Sequence, residues 1–551
     1  MPLAAYLWRR IRQLGVQSIM GVPGDMNLEL LDYLDDDGLE WVGNANELNA
    51  AYAADGYSRM KGCPGVLVTT MGVGELSALN GVAGAYTEHV KLIHIVGTTG
   101  TGAQKARAMI HHCLGPNPDH RIYSKISGPV RMAHCWLDNA KTATAEIDRV
   151  IRVCYLKSLP VYIFVPLDFT HVPVSASSLD QPLTITPQTD DDACASAVNA
   201  VIDRIAMSKT PSIVVDTLVH RFGATSILNR LLDQLDIPTF TTPMGKSIVP
   251  EDRSYFHGVY NGQVSLPGIA SAIEVSSDLV IDIGFLHSDS NTGGHSRLLT
   301  RVFQALTTDP IPRNLLRRRI IHLPTPSVPS DEDAKHITQS WIWKRIGAMA
   351  QPGDIIIAES GTAQFGFSDA VFGPGVQYIT QIYFGSIGYS VPACLGAAIA
   401  QREMGSEAAS QRPGRTILVV GDGSLQLTVQ EIGTMIKLGL KNIIIVVINN
   451  NGYTIERAIH GPERGYNDIA TWNHQLLLNT FGDKYGKVNS RVVNTKESFE
   501  KVISSPEYLD LASIQLLEVI MDKMDVPWRL KAQIDLINQH NTRITKQDNG
   551  V

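Results

Sequence analysis

Residues 417–456 read ILVVGDGSLQLTVQEIGTMIKLGLKNIIIVVINNNGYTIE. Ile417–Val420 is a short apolar run of the kind that makes a buried strand, and Gly421-Asp422-Gly423-Ser424 turns the chain sharply. Leu425–Gly439 has helical apolar spacing. Ile443–Ile448 is a second strand of β-branched residues, and Asn449-Asn450-Asn451-Gly452 follows it. A strand–turn–helix–strand–turn unit sets two loops side by side at the carboxyl ends of parallel strands. The loops carry oxygen: a carboxylate from Asp422, an amide from Asn450, and a backbone carbonyl at Gly452, where no side chain blocks approach. Three such ligands beside room for phosphate oxygens suit Mg²⁺, which prefers octahedral oxygen coordination. Gly423 and Ser424 add N–H groups and a hydroxyl at a helix start, where anions bind. Two ordinary Gly/Asn turns would explain a bare GDG. GDGS and NNNG in one unit point instead to a metal–diphosphate clamp.

Outward from this unit, the chain of 551 residues is too long for one core, and three domains of ordinary size fit it. Hydrophobic content of 44% with 18% charged residues describes a soluble globular chain. A net charge of −7 leaves no basic excess for nucleic acid, and Arg317-Arg318-Arg319 reads as solvated surface. No apolar run approaches the roughly 18 residues of a membrane helix. The start, MPLAAYLWRRIRQLGVQ, reads as an amphipathic helix and not as a signal peptide. The six cysteines (Cys63, Cys113, Cys135, Cys154, Cys194, Cys394) form no CxxC and read as reduced thiols of a cytoplasmic protein.

In residues 1–175, strands Gln17–Val22, Trp41–Gly43, Val66–Thr70, Leu92–Val96 and Leu159–Val165 alternate with helices, one of them Glu47–Met60. The pattern predicts a doubly wound parallel sheet. Gly72-x-Gly74 is only part of a dinucleotide fingerprint, and no GxxxxGK[ST] occurs. Residues 171–195 have linker composition. A second α/β unit over 196–323 has strands Ser212–Val215, Thr239–Thr241, Leu279–Ile283 and Arg319–Leu323. A second linker, Pro324–Ala334, leads to a third unit over 340–530 that holds the clamp, and Gln539–Val551 reads as a frayed polar tail.

Gly421–Ser424 with Asn449–Glu456 and His460-Gly461-Pro462 resembles the thiamine diphosphate (ThDP) enzymes, specifically the pyruvate/indolepyruvate/phenylpyruvate decarboxylases. The likeness extends over nearly the whole chain. It implies an α/β architecture of three doubly wound parallel-sheet domains: aminopyrimidine-binding, central and diphosphate-binding. It also implies ThDP and Mg²⁺ as cofactors and a 2-oxo acid as substrate. Asp422, Asn450 and Gly452 correspond to the metal ligands. Gly423, Ser424, Tyr453, Thr454 and Ile455 flank them along the cofactor. Glu47, in Asn46-Glu47-Leu48-Asn49-Ala50-Ala51-Tyr52-Ala53-Ala54-Asp55-Gly56, matches the glutamate that protonates the aminopyrimidine N1′. One helix-start Glu by itself would be unremarkable; its ten-residue context carries the match. In the family this glutamate and the clamp come from different subunits, so a homodimer, or a dimer of dimers, is implied.

Gly385-Ser386-Ile387-Gly388 matches the segment that holds the aminopyrimidine, with Ile387 forcing the bent cofactor shape and the Gly385 carbonyl accepting from its amine. Ser360 and Thr362, in Glu359-Ser360-Gly361-Thr362, match a loop touching cofactor and substrate. Asp25 in VPGD, His111-His112 in IHHCLG, and Glu456 form the implied acid–base set. Glu456 is expected to be buried among other acids, where it could be protonated part of the time and spare an anionic substrate. Pyruvate-specific fungal relatives carry Phe at the position of Ser290 and Ala at that of Gln364, so a reshaped pocket for a larger 2-oxo acid, aromatic or branched, is expected. The cysteines of yeast-type activation are absent from Val215–Arg221, where Leu218 and Val219 stand. Rival readings are a carboligase forming acyloins, a flavin-binding synthase, and a non-catalytic protein of the same fold. The last would be expected to have lost Glu47, Asp422, Asn450 or Glu456, and all four are present.

Overall fold

Strands covered on both faces read as unbroken apolar runs, and the runs Ile417–Val420 and Ile443–Ile448 lie at the centre of a parallel sheet. The computed structural model describes residues 1–187, 189–293, 328–407, 414–509 and 513–548. These residues form three sheets, parallel throughout. The first contains β1 (Ser18–Gly21), β2 (Glu40–Trp41), β3 (Gly65–Thr70), β4 (Leu92–Thr98), β5 (Ala133–Trp136) and β6 (Val161–Pro166), in the order β2-β1-β3-β4-β6-β5. The second has β7 (Pro211–Val215), β8 (Thr239–Thr241), β9 (Phe256–Val259) and β10 (Leu279–Ile283), in the order β10-β7-β8-β9. The third is built from β11 (Ile355–Ala358), β12 (Gln377–Thr380), β13 (Thr416–Gly421), β14 (Ile443–Asn449), β15 (Ser490–Val493) and β16 (Gln515–Ile520). Its order, β12-β11-β13-β14-β16-β15, repeats that of the first sheet. Helices alternate with the strands, as the sequence predicts, except between β8 and β9, which follow one another with no helix between them.

In both six-stranded sheets the winding reverses at the second strand. β2 lies outside β1 and β3 returns to the other side; β12, β11 and β13 do the same. Loops leaving the two strands at such a point diverge and open a crevice at the carboxyl edge. Topology alone therefore marks two places, after β1/β3 and after β11/β13.

By its contacts the chain divides into two compact units. Unit 1 is Met1–Gln188 with Val391–Pro413 and Thr428–Leu440; unit 2 is Thr189–Ser390 with Gly414–Leu427 and Lys441–Val551. In unit 2 one core of the third sheet gathers Trp343, Phe367, Ile417, Val419, Ile444, Val446 and Leu517. In unit 1, β3, β4 and β6 are buried along their whole length.

Several expectations need correction. Leu425–Gly439 is two helices, Asp422–Thr428 and Glu431–Lys437. Between them Ile432 and Gly433 donate to Val429 and Gln430, three residues back, so the helical ladder tightens and breaks. The acidic run that reads as linker starts a helix, Asp191–Met207, whose first turn is capped by Asp190 accepting from Ala193 N at 3.0 Å. The tail expected to fray continues a helix from Trp528 to Asp548. In the first two sheets, β5 and β9 are the strands the sequence reading lacks: both are short edge strands, only partly buried, with no unbroken apolar run. Strand Arg319–Leu323, the Arg317–Arg319 cluster and the first part of the Pro324–Ala334 linker lie outside the described residues.

The helix that opens with Glu47 runs to Lys61. Asn46 caps it, its side-chain oxygen accepting from Asn49 N at 2.8 Å, and Gly62 ends it in the left-handed region at φ 78°. Asn46→Ala leaves that first-turn N–H without its partner and is expected to cost about 1 kcal/mol, read from urea unfolding.

Candidate active site

The crevice at the reversal point of the third sheet is a cleft of about 310 Å³ within unit 2. Three segments line it, each running from a strand end into the helix that follows: 359–365 after β11, 421–424 at the end of β13, and Asn450 with 452–456 after β14. Ser290, Gly385 and Ile387 complete the walls. Every unit 2 residue nominated from the sequence lies on this surface except Ser386, whose N–H instead donates to Gln381 Oε1 at 3.0 Å.

At one end, acceptor oxygens converge. The Asp422 carboxylate is buried, and it accepts from Gly423 N at 2.9 Å and from Gly452 N at 3.1 Å. The amide end of Asn450 faces Asp422 Oδ1 at 3.2 Å and the Gly452 carbonyl at 3.0 Å, with the Thr454 hydroxyl 2.9 Å from its other end. With the Asn450 oxygen turned inward, three oxygens meet with no donor among them. A hard cation satisfies that arrangement, so the donor set fits Mg²⁺. Burial pushes the Asp422 carboxyl up to about 6 in the bare chain, and the two N–H donors oppose the rise. Gly452 is required here: its φ is 120°, and a Cβ would stand 2.4 Å from the Asn467 carbonyl. One backbone N–H assigned to anion binding, that of Gly423, is already engaged by Asp422.

The other nominated residues belong to unit 1, at its own reversal point. Asp25 follows β1, and the His pair follows β4 at a distance. His111 Nε2 lies 2.7 Å from Asp25 Oδ2, the two imidazoles sit edge to face at 4.6 Å, and His112 holds φ 69°. Ligand atoms of Asp25, His111 and His112 all fall within 4.8 Å of one another. The Tyr123 hydroxyl donates to the His112 carbonyl at 2.6 Å, which fixes that left-handed turn. Glu47 is half-buried in the first turn of its helix. Gly74 leaves space for it, since a Cβ there would lie 3.1 Å from Glu47 Oε1. Glu456 departs from expectation: it is exposed on the single chain and not buried among acids.

Three models of thiamine pyrophosphate enzymes match the chain: the N-terminal TPP binding domain over residues 1–120, the central domain over 198–328, and the C-terminal TPP binding domain over 359–509. Pyruvate decarboxylase of Aspergillus terreus is 42% identical over 96% of this chain and 95% of its own length. That of Candida glabrata is 38% identical over 98% and 99%. The chain belongs to the ThDP-dependent 2-oxo acid decarboxylases. Among solved structures, a Rhodococcus jostii thiamine diphosphate-dependent 4-hydroxybenzoylformate decarboxylase shares the fold, with TM-score 0.73 and 18% identity over 95% of this chain and 99% of that one.

As a member of that family the chain is a carboxy-lyase. Its site rests on residues that sequence reading missed. Arg457, buried, donates through Nη2 to Asn451 O at 3.1 Å, Asn467 O at 3.3 Å and Asp468 Oδ1 at 2.6 Å. Glu518 accepts from Asn449 Nδ2 at 2.7 Å and pairs with His474 Nδ1 at 2.9 Å, bracing the end of β14. In unit 1, Glu431 accepts from Ala45 N at 2.9 Å and from Asn44 Nδ2 at 3.1 Å, which fixes the loop entering the Glu47 helix. No local pattern distinguishes these residues, because each partner is remote in sequence or in an irregular loop. The six cysteines are free thiols. Among the described residues no helix is long and apolar enough to cross a membrane.

Proposed function

We propose that this decarboxylase releases CO₂ from a 2-oxo acid larger than pyruvate and returns the aldehyde, using ThDP anchored through Mg²⁺. The observation that carries the reading is the convergence of the Asp422 carboxylate, the Asn450 side-chain amide and the Gly452 carbonyl at one end of the cleft. Bound ThDP supplies an electron sink for the electrons left behind by CO₂. Asp422, Asn450 and Gly452 would hold the metal; Gly423, Ser424, Tyr453, Thr454 and Ile455 would lie along the diphosphate. The Gly385 carbonyl and Ile387 would orient the aminopyrimidine, with Thr362 beside it. Glu47 holds a proton at its N1′. The contact between Asp25 and His111, with His112 alongside, suits proton delivery at the reacting carbon. Glu456 faces the substrate carboxylate from the cleft wall.

The functional unit is a cytoplasmic homodimer or dimer of dimers, in which Glu47 of one copy serves the cleft of another. Domain boundaries at 1–175, 196–323 and 340–530 belong to the same reading.

Substrate size rests on Ser290, Ser360 and Gln364, which share the cleft wall. A small hydroxyl at 290 leaves room beside the cofactor, and the Gln364 amide adds a polar wall. A panel of 2-oxo acids of rising side-chain size, with CO₂, aldehyde and acyloin measured, is expected to give its highest kcat/KM above pyruvate. Gln364→Ala is expected to shift the preference between two panel members by about 10–200-fold. Pyruvate outranking every larger acid would overturn the size reading. Acyloin as the main product would favour carboligation, and no CO₂ from any member would remove the function altogether.

A further inference from the structure

The segment 381–389 forms no regular element, yet it carries the Gly385 carbonyl and Ile387 into the cleft. Gly385 and Gly388 hold φ 63° and 86°, and Ile387 stands between them 38% exposed. Irregular backbone of this kind has no ladder to fix it and depends on side-chain partners. Glu359, at the end of β11, supplies them. Its carboxylate is buried, and it accepts from Ser390 Oγ at 2.6 Å, Ser390 N at 3.2 Å, Gly388 N at 3.2 Å and Ser360 N at 2.9 Å. A second tie runs in parallel: Ser360 Oγ donates to Gln381 O at 2.6 Å, and Gln381 Oε1 accepts from Ser386 N at 3.0 Å.

We propose that Glu359 is a positioning residue that sets the Gly385–Ser390 segment in its cofactor-receiving shape before ThDP arrives. The inference rests on the ThDP reading above for the identity of the ligand, and on this chain's own bonds for the positioning. All four partners are donors, and an ionised carboxylate offers only acceptors, so an acid matches the pocket where an amide of the same shape does not. Burial pushes the carboxyl up to about 7 while the four donors hold it down. An acid this deep is costly unless its oxygens are used. Here they are used to clamp two points of the segment, on either side of Tyr389.

The test compares wild-type protein, Glu359→Ala and Ser390→Ala in two measurements: residue-resolved hydrogen exchange without cofactor, and calorimetric binding of ThDP in excess Mg²⁺. Glu359→Ala leaves Gly388 N, Ser390 N and Ser390 Oγ without the single oxygen, Oε2, on which all three converge. Its Gly388 and Ser390 amides are expected to exchange at least about tenfold faster with the rest of the third sheet unchanged. Its Kd for ThDP is expected to rise by about tenfold or more. Ser390→Ala removes one donor and should move both readings the same way by less, so it decides the matter if Glu359→Ala does not fold. Exchange and Kd within about twofold of wild type overturn the proposal, as does faster exchange spread over the whole sheet, the mark of a merely structural acid. Wild-type protein that binds no ThDP overturns the functional reading, and with it the ligand named here. Unchanged exchange at Gly388 and Ser390 overturns the role of Glu359 alone.

Discussion

Glu47→Gln is expected to lower kcat/KM for CO₂ release by about 10²–10⁴-fold while ThDP still binds. The amide keeps the shape of the acid but cannot pass a proton to and from a ring nitrogen. Shape is tightly constrained here: Glu47 occupies the first helical turn behind the Asn46 cap, and Gly74 approaches its carboxyl closely. A change confined to the proton therefore leaves packing intact and isolates chemistry from fold. The experiment is steady-state CO₂ release at saturating ThDP and Mg²⁺, with calorimetry to show that the cofactor is bound. Activity within a few-fold of wild type would remove Glu47 from the mechanism. The same activity loss with no cofactor bound would reassign Glu47 to binding.

The second large effect is on cofactor retention. Asp422→Ala removes a carboxylate oxygen from the three-oxygen cluster and the acceptor for Gly423 N and Gly452 N. Wild-type protein at 100 times the Kd for ThDP in Mg²⁺ should gain about 2.7 kcal/mol of stability, seen as a raised unfolding temperature. Asp422→Ala is expected to lose that gain at the same concentrations. The control is the wild-type protein with ThDP and a chelator, which should behave like the variant. A variant that keeps the full cofactor-dependent rise would show that the metal is held elsewhere, and the assignment of Asp422, Asn450 and Gly452 would fall.

Much of the site was legible because its residues are local. The turn Gly421–Ser424 and the turn Asn449–Gly452 each follow an apolar run that a parallel sheet buries on both faces, so periodicity and punctuation agreed. Asp422, Asn450 and Gly452 come together because β13 and β14 are neighbours, a pairing already implied by the short helical connection between them. The elements that escaped have physical reasons. Residues 425–439 keep helical periodicity across a break that arises from bonds three residues back at Ile432 and Gly433, and periodicity does not register such a break. Glu456 was expected to be buried inside a cluster of acids, but in this chain it stands exposed on the cleft wall.

Composition, spacing and the turn motifs by themselves determined that this is a three-sheet α/β chain with oxygen-bearing turns after the strands Thr416–Gly421 and Ile443–Asn449. Those features depend on contacts between residues close along the chain, or on burial that any parallel sheet imposes. Only the tertiary structure decided that the first and third sheets share one strand order, and that Glu359 ties two distant loops together. It alone showed that Arg457 and Glu518 brace the turn Asn449–Gly452. A buried charge finds its partners wherever the fold brings donors within reach, and that distance in space leaves no trace in the order of the residues.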